Sequence, residues 1–212
     1  MGQGEGCQNG AMTDRVRPDS SRGDGTREAL LRAAVAVVRS EGLPAMTTRR
    51  VAAEANLPHG AVHYWFADKS DLVRAVLHVM LGDVRAAILS DGSITDFDER
   101  LTRISERFAA MPEGQLLGLF EVTLAAVRKP ALRPFAHEQY AAYQSATEES
   151  LSGAAHDVDE VLPGGARALG TLIIAVLDGL TLAALTSPDP TDLEAARHLF
   201  AFLVTSAIDQ SA

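Results

Sequence analysis

Two short helical patterns separated by one tight turn, within residues 47–66, constrain the fold of this chain more than any other sequence feature. Thr47 is of a residue type that caps helices, and Asn56 tolerates the left-handed backbone of a tight turn. Pro58 stands at the start of the second helix, where its missing N–H costs nothing. Because such short helices are marginal alone, the pair must pack against neighbouring helices.

The apolar residues of this pair face inward and leave a polar and aromatic surface outside. Its inward positions are Val51, Ala52, Leu57, Val62 and Phe66, and small Ala52 and Ala55 let the helices cross closely. The outer surface consists of His59, Gly60, Ala61, His63, Tyr64 and Trp65. A helix with such a surface fits the major groove of DNA, which is about 12 Å wide. The pattern is that of a helix-turn-helix, with Thr47, Thr48 and Lys69 placed to contact phosphates. One of Arg49 and Arg50 is a further candidate for a phosphate contact, and the alternative is that both are ordinary exposed helix residues.

The rest of the chain keeps apolar residues three and four positions apart, with no alternating strand pattern. Residues 1–25 are Gly-rich and polar and are predicted to be disordered, and a helix begins at Thr26 and ends at Gly42. Further helices are predicted at about 69–82, 97–111, 114–128, 134–155, 166–185 and 191–209. The predicted fold class is all-α, with about nine helices.

Charge and cysteine content narrow the functional classes. The net charge is −9, but residues 1–85 carry 11 basic and 10 acidic residues, whereas residues 86–212 carry 8 and 18. A near-neutral N-terminal part followed by an acidic remainder is typical of a protein in which a small DNA-binding domain is joined to a larger domain that does not bind DNA. The single cysteine, Cys7, fits a reducing cytoplasm.

Three other classes of function find little support. No catalytic triad, phosphate-binding loop or metal quartet is recognisable, so no enzyme, cofactor or metal is predicted. His59 and His63 have the spacing of a zinc pair but lack a third ligand. Residues 166–185 approach the length of a membrane span, but a central Asp178 would be costly in lipid. A helix buried by its own domain and a partner subunit is the favoured interpretation, without a membrane.

The sequence over about residues 26–80 resembles the TetR family of bacterial regulators. The matching positions are Thr26, Arg27, Ala33, Ala34, Gly42, Thr47, Thr48, Val51, Ala52, Gly60, Phe66, Asp68, Lys69 and Leu72. The resemblance implies phosphate contacts at Thr47, Thr48 and Lys69, and base or backbone contacts along His59–Trp65. Two residues depart from the family pattern, because His63 stands where a tyrosine is usual and Asn56 replaces the turn glycine.

The resemblance also implies a C-terminal helical domain that binds a ligand and dimerises. Residues 166–185 and 191–209 would pair with their symmetry mates in a four-helix bundle. Polar residues within apolar stretches are candidate ligand contacts, with apolar neighbours as lining for a largely hydrophobic effector. The predicted ligand-binding residues are Phe108, Leu117, Phe120, Glu121, Leu124, Tyr140, Gln144 and Asp178.

The predicted protein is a cytoplasmic, ligand-responsive repressor that acts as a homodimer on a palindromic DNA operator. Its predicted parts are a disordered tail (1–25), a three-helix DNA-binding domain (26–72) and an effector and dimerisation domain (73–212). Two alternatives stay open: an activator, or a dimeric small-molecule-binding protein that has lost specific DNA binding.

Overall fold

The computed structural model describes residues 20–89, 96–151, 155–186, 189 and 191–209. Over these residues the chain forms ten α-helices and no β-strand, which confirms the all-α class. The helices are α1 (Ser20–Glu41), α2 (Thr48–Glu54), α3 (His59–Trp65), α4 (Lys69–Leu89), α5 (Phe97–Ala110), α6 (Glu113–Arg128), α7 (Arg133–Leu151), α8 (Ala155–Val161), α9 (Gly165–Ala184) and α10 (Thr191–Asp209).

Three sequence-based helix boundaries need correction. Helix α4 ends at Leu89 rather than at about residue 82. Helix α1 begins at Ser20 rather than Thr26, so the predicted disorder is wrong for residues 20–25, and residues 1–19 lie outside the described part. Packing holds Leu30 to Val38 in a helix. Extending that helix over the polar residues on its N-terminal side then costs little free energy, although those polar residues show no apolar periodicity. Helix α8 is separate from α7, which ends at Leu151, so the predicted helix at 134–155 was too long.

Two apolar cores organise the helices. The first contains the inward residues of α1 to α4 together with Leu119, Val122 and Phe135 of α6 and α7. The second joins α5, α8, α9 and α10 around Leu101 and Ala201. The first core continues through α4 without a break. The DNA-binding helices and the helices of the body therefore pack directly against each other across the predicted domain boundary between residues 72 and 73.

Helix α9 is buried on one face only. Leu169, Ile173 and Leu177 point into the core, whereas Leu172 and Leu182 are 49% and 46% exposed. By length and composition α9 could cross a membrane, and 28% of its most apolar window is buried. On α10, Leu199, Phe202 and Leu203 are also exposed. We call the exposed apolar residues of these two helices the α9/α10 face; they are Leu172, Leu182, Leu199, Phe202 and Leu203.

Candidate nucleic-acid interface and ligand cavity

Local side-chain contacts set the geometry of the helix-turn-helix. Thr47 caps α2, its Oγ1 accepting the N–H of Arg50 at 3.1 Å. Asn56 has a φ of 53°, the left-handed conformation expected at the turn. Val51 and Val62 are fully buried and fix α2 and α3 to the core. Helix α3 is thereby held with its opposite face in solvent.

The outer face of α3 carries exposed aromatic and imidazole side chains. Tyr64 is 76% exposed and meets Trp65 edge-on, with ring centroids 5.0 Å apart. The rings of His59 and His63 also meet edge-on at 4.9 Å. Trp65 is half-buried and packs partly against the core. Gly60 is exposed and Ala61 half-buried, so a duplex can approach the start of the helix closely.

The predicted phosphate-contacting residues surround this face. Thr48 Oγ1 lies 3.0 Å from His59 Nε2, which joins the first turns of α2 and α3. Arg49 is exposed, whereas Arg50 is bound to Glu41 and Glu54 at 2.6 and 2.8 Å. Hydrogen bonds to these two carboxylates raise the pKa of Arg50. Arg49 is therefore the arginine of α2 that is free to meet a phosphate.

Helix α4 begins at the edge of the same face. Asp68 Oδ1 accepts the N–H of Asp71 at 2.9 Å, and Asp71 Oδ2 accepts the N–H of Ala67 at 3.1 Å, a reciprocal cap. Lys69, in the first turn, is exposed and forms no ion pair within the described part of the chain. The structure thus brings Thr48 to His59, His59 to His63 and Tyr64 to Trp65, and the DNA contacts of the ten predicted residues stay predictions.

A cavity of about 510 Å³ lies in the body, among the ends of α5 and α9 and the first turns of α6 and α10. Of the eight predicted ligand residues, Phe108 lines it and the other seven do not. The lining residues are Thr102, Ser105, Glu106, Phe108, Ala109, Met111, Glu113, Leu116, Leu177, Leu180, Thr181, Ala184, Leu185, Leu193, Glu194 and Arg197.

Tyr140 and Asp178, two predicted ligand residues, are joined across α7 and α9. The Tyr140 hydroxyl donates to Asp178 Oδ2 at 2.7 Å, and the Tyr140 ring meets Tyr143 edge-on at 5.6 Å. Burial, aided by the bond to Asp178, raises the pKa of Tyr140 to about 12. The pair ties α7 to α9 outside the cavity lining, and its predicted ligand role stays untested.

We expect Asp178→Asn to raise the thermal unfolding midpoint at neutral pH. Burial raises the pKa of Asp178 above 3.8, and the bond from Tyr140 offsets only part of this. A carboxyl with a raised folded-state pKa contributes stability below its unfolded value and loses it as the pH rises through the folded value. Asparagine still accepts from Tyr140 without a charge, so the gain should be largest at pH 7.

Thermal melts of Asp178→Asn between pH 7 and pH 4 measure this effect. The exposed variant Asp192→Asn, on the first turn of α10, is the control, and we expect little change in its midpoint. A gain for Asp178→Asn that stays constant across the pH range would contradict the interpretation, because it would not depend on the charge of Asp178.

The remaining predicted ligand residues have structural partners or face solvent. Glu121 Oε2 accepts the N–H of Leu43 at 2.5 Å, so its carboxylate holds the connection between α1 and α2. Gln144 Nε2 donates to Glu148 at 2.8 Å and to the Arg167 carbonyl at 3.1 Å. Leu117 and Leu124 are 41% and 61% exposed, and Phe120 is half-buried. The spacing of apolar residues along α6 does not show which side of that helix faces α1.

Sequence reasoning missed a polar junction between α6, α1 and α4. Gln115 is buried; its Oε1 accepts from Arg39 Nη2, while its Nε2 donates to the Met80 carbonyl at 3.3 Å and to Asp83 Oδ2 at 3.1 Å. Arg39 Nη2 also contacts Asp83 Oδ2 at 3.0 Å. Beside this junction, Gly114 lies directly against the Arg39 carbonyl. The only sequence signal was two glycines four positions apart on α6, a spacing that permits close helix packing.

Two descriptions of protein families match this chain, and together they cover most of it. The family description "Tetracyclin repressor-like, C-terminal domain" matches residues 92–206, and "Bacterial regulatory proteins, tetR family" matches residues 30–76. The nicotine-responsive transcriptional repressor HdnoR of Paenarthrobacter nicotinovorans is 28% identical over 170 residues, covering 77% of this chain and 86% of the relative.

Two solved structures share the fold over most of their length. The multidrug binding protein EbrR, complexed with imidazole, is 32% identical with a TM-score of 0.65, covering 91% of this chain and 97% of its own. A TetR-family member from Streptomyces coelicolor A3 is 31% identical with a TM-score of 0.64, covering 84% and 97%.

The fold and the site define a class of helical transcription factors with a DNA-binding head and a ligand-binding body. This chain belongs to the TetR family and is a ligand-responsive, DNA-binding transcriptional regulator. The family consists of transcriptional regulators rather than enzymes, and its members bind DNA operators, dimerise and bind small molecules.

Proposed function

We propose that this regulator is a cytoplasmic homodimer that represses transcription from a palindromic operator. The observation that carries the dimer is the α9/α10 face, where Phe202 and Leu199 are 66% and 58% exposed in the single chain. Exposed apolar side chains on two helices that pack against each other mark an interaction site, and a twofold axis buries them against their symmetry mates. Ala175 and Gly179 lie in the middle of the exposed side of α9 and allow the helices of two copies to approach closely.

In the proposed dimer the two α3 helices enter successive major grooves on one side of the duplex. Their separation must match about one DNA turn, roughly 34–36 Å. The aromatic and imidazole groups of His63 and Tyr64 read base edges or backbone, and Thr47, Arg49 and Lys69 hold phosphates. Repression follows when the operator overlaps a promoter.

The effector acts through helix α6, whose first turn touches both the cavity and the DNA-binding head. Glu113 and Leu116 line the cavity, and the intervening Gly114 and Gln115 contact α1 and α4. A ligand that displaces this turn moves the Met80–Asp83 segment of α4, and with it the spacing of the two α3 helices. By linkage, effector and DNA then weaken each other's binding by the same factor.

The relatives support a small organic effector. HdnoR is described as nicotine-responsive and EbrR as a multidrug binding protein solved with imidazole. A cavity of about 510 Å³ with mostly apolar lining is of the size that accepts drug-sized molecules. A largely hydrophobic effector therefore fits this body.

The proposal is tested by binding of the purified full chain to DNA from upstream of its own gene. We expect salt-sensitive binding, one dimer per site, and enrichment of a palindrome from random duplexes. If no palindrome is enriched, the chain is a dimeric ligand-binding protein without specific DNA recognition. A promoter that is induced rather than silenced in a reporter assay would identify an activator.

Tyr64→Ala is expected to weaken operator binding by about 5- to 150-fold, which corresponds to the loss of one specific contact of about 1–3 kcal/mol. Because Tyr64 is 76% exposed, its removal should leave the unfolding midpoint nearly unchanged. Val127→Ala, at a side chain 72% exposed on α6, is the control and should bind DNA as the wild type does. Unchanged affinity of Tyr64→Ala would exclude Tyr64 from the DNA-reading face.

A further inference from the structure

The cavity between α5, α6, α9 and α10 combines an apolar wall with an acidic edge. Its apolar lining includes Phe108, Met111 and Leu180, and its volume of about 510 Å³ suits an organic molecule rather than a bare ion. Three carboxylates line the same space, those of Glu106, Glu113 and Glu194. The cavity therefore has both a hydrophobic body and a charged boundary.

The one basic residue in the lining does not cancel these charges. Arg197 is 5% exposed, and its Nη1 contacts Asp98 Oδ1 at 3.3 Å and Thr102 Oγ1. Asp98 balances its charge, and Asp98 is not part of the lining. Within the described residues Glu113 and Glu194 form no ion pair, and Glu106 has only an exposed contact of 3.4 Å to Arg103. The net charge of the side chains that line the cavity is therefore negative.

Two of the three hydroxyl groups of the lining, those of Thr102 and Ser105, also favour a ligand that donates hydrogen bonds. Ser105 Oγ donates to the Leu101 carbonyl at 2.8 Å, and Thr102 Oγ1 donates to the Asp98 carbonyl at 2.8 Å. Their protons are thus committed to their own helix, which leaves Ser105 able only to accept. Carboxylates and such hydroxyls offer acceptors, so an anionic or purely accepting ligand finds few partners here.

We infer that this cavity binds an amphipathic organic cation, with its charged group near Glu113 and Glu194 and its apolar body against Phe108. The inference rests on the proposed effector role of the cavity and specifies the chemical class of the effector. A cation near these exposed carboxylates gains Coulombic energy, and an aromatic ring such as Phe108 also attracts cations. A neutral ligand of the same shape gains only the apolar contacts.

Helix capping alone does not account for this arrangement. Acidic residues are common in first turns because they interact favourably with the helix N-terminus, and Glu113 and Glu194 both lie there. Glu106, however, lies in the C-terminal half of α5, where a carboxylate gains nothing from the helix dipole. Glu99 and Asp192 are also first-turn acids but do not line the cavity, and they provide matched controls.

The test uses the full chain and two isosteric ions of opposite charge, tetraphenylphosphonium and tetraphenylborate, in titration calorimetry without DNA. We expect the wild type to bind the cation and to bind the anion at least tenfold more weakly. Glu113→Gln with Glu194→Gln should weaken cation binding by about tenfold, since each exposed ion pair contributes up to about a factor of five. Glu99→Gln with Asp192→Asn should leave it unchanged.

Equal or tighter binding of the anion would overturn the inference, as would equal affinity of the cation for the cavity variant and the control variant. These measurements do not involve DNA, so they are independent of operator recognition. If the charge preference holds but the cation leaves operator affinity unchanged, the cavity chemistry stands and the proposed coupling to DNA fails. If neither ion binds while the operator is recognised, the inference fails and the regulator assignment stands.

Discussion

Phe202→Asp is expected to convert the homodimer into monomers and to abolish operator binding at concentrations where the wild type is fully bound. Phe202 is 66% exposed on α10 and is the largest apolar side chain of the α9/α10 face, which also contains Leu199 and Leu203. An aromatic side chain buried in an interface contributes about 2 kcal/mol or more to binding, and in a symmetric dimer the substitution is present in both subunits. The dimer dissociation constant should therefore rise about a thousandfold.

Sedimentation equilibrium of the purified variant measures this change directly. Val127→Asp places the same charge on another exposed apolar side chain, 72% exposed and outside the α9/α10 face, and should stay dimeric. Unfolding midpoints of both variants show whether the monomer is still folded. If Phe202→Asp dimerises as the wild type does, the interface lies elsewhere on the molecule.

Gly114→Ala is expected to lower the free energy of unfolding by about 3 kcal/mol. A Cβ at Gly114 would lie 1.7 Å from the carbonyl oxygen of Arg39 and 2.6 Å from its carbon, both backbone atoms of α1. Backbone cannot yield as a flexible side chain does, so α6 must move away from α1, and overpacking of this kind costs about 1–3 kcal/mol or more. The same shift should weaken the contact of Gln115 with Met80 and Asp83.

Chemical denaturation compares this variant with Gly82→Ala on α4. A Cβ at Gly82 meets nothing within 4 Å, and alanine there should add about 0.5–1 kcal/mol of stability through helix propensity. In operator-binding assays Gly114→Ala should also respond less to the effector than the wild type does. If the two variants were equally stable, α6 and α1 would not be in close contact.

Features that depend on neighbours in the chain could be predicted from the sequence. Thr47 acts on the first turn of its own helix and Asn56 on its own turn, and both were found in their predicted roles. The apolar period located α5, α6, α7, α9 and α10 but not the short α8, because it relies on several turns that repeat the same inward face. The ends of the helices could not be predicted in the same way, as at Ser20 and Leu151, because a polar residue extends a helix or ends it at a similar cost in free energy.

The ligand-binding residues show why the body was harder to predict. The sequence marks Glu121 and Tyr140 as polar groups within apolar helices, but the same signal fits a cavity wall, a helix junction or a cap. Glu121 contacts Leu43, 78 residues earlier, and Tyr140 contacts Asp178, 38 residues later. Such partners follow from how helices cross, which no local period contains.

The sequence by itself determined the all-α class, the helix-turn-helix within residues 47–66 and the exposed surface of α3, since caps, turn residues and inward apolar positions are local. Tertiary structure alone decided that α6 joins the cavity to α1 and α4, and that Glu106, Glu113 and Glu194 share one space. Glu106 and Glu113 are seven residues apart, but Glu194 lies 81 residues beyond Glu113, so its proximity to them depends on packing between residues far apart in the chain.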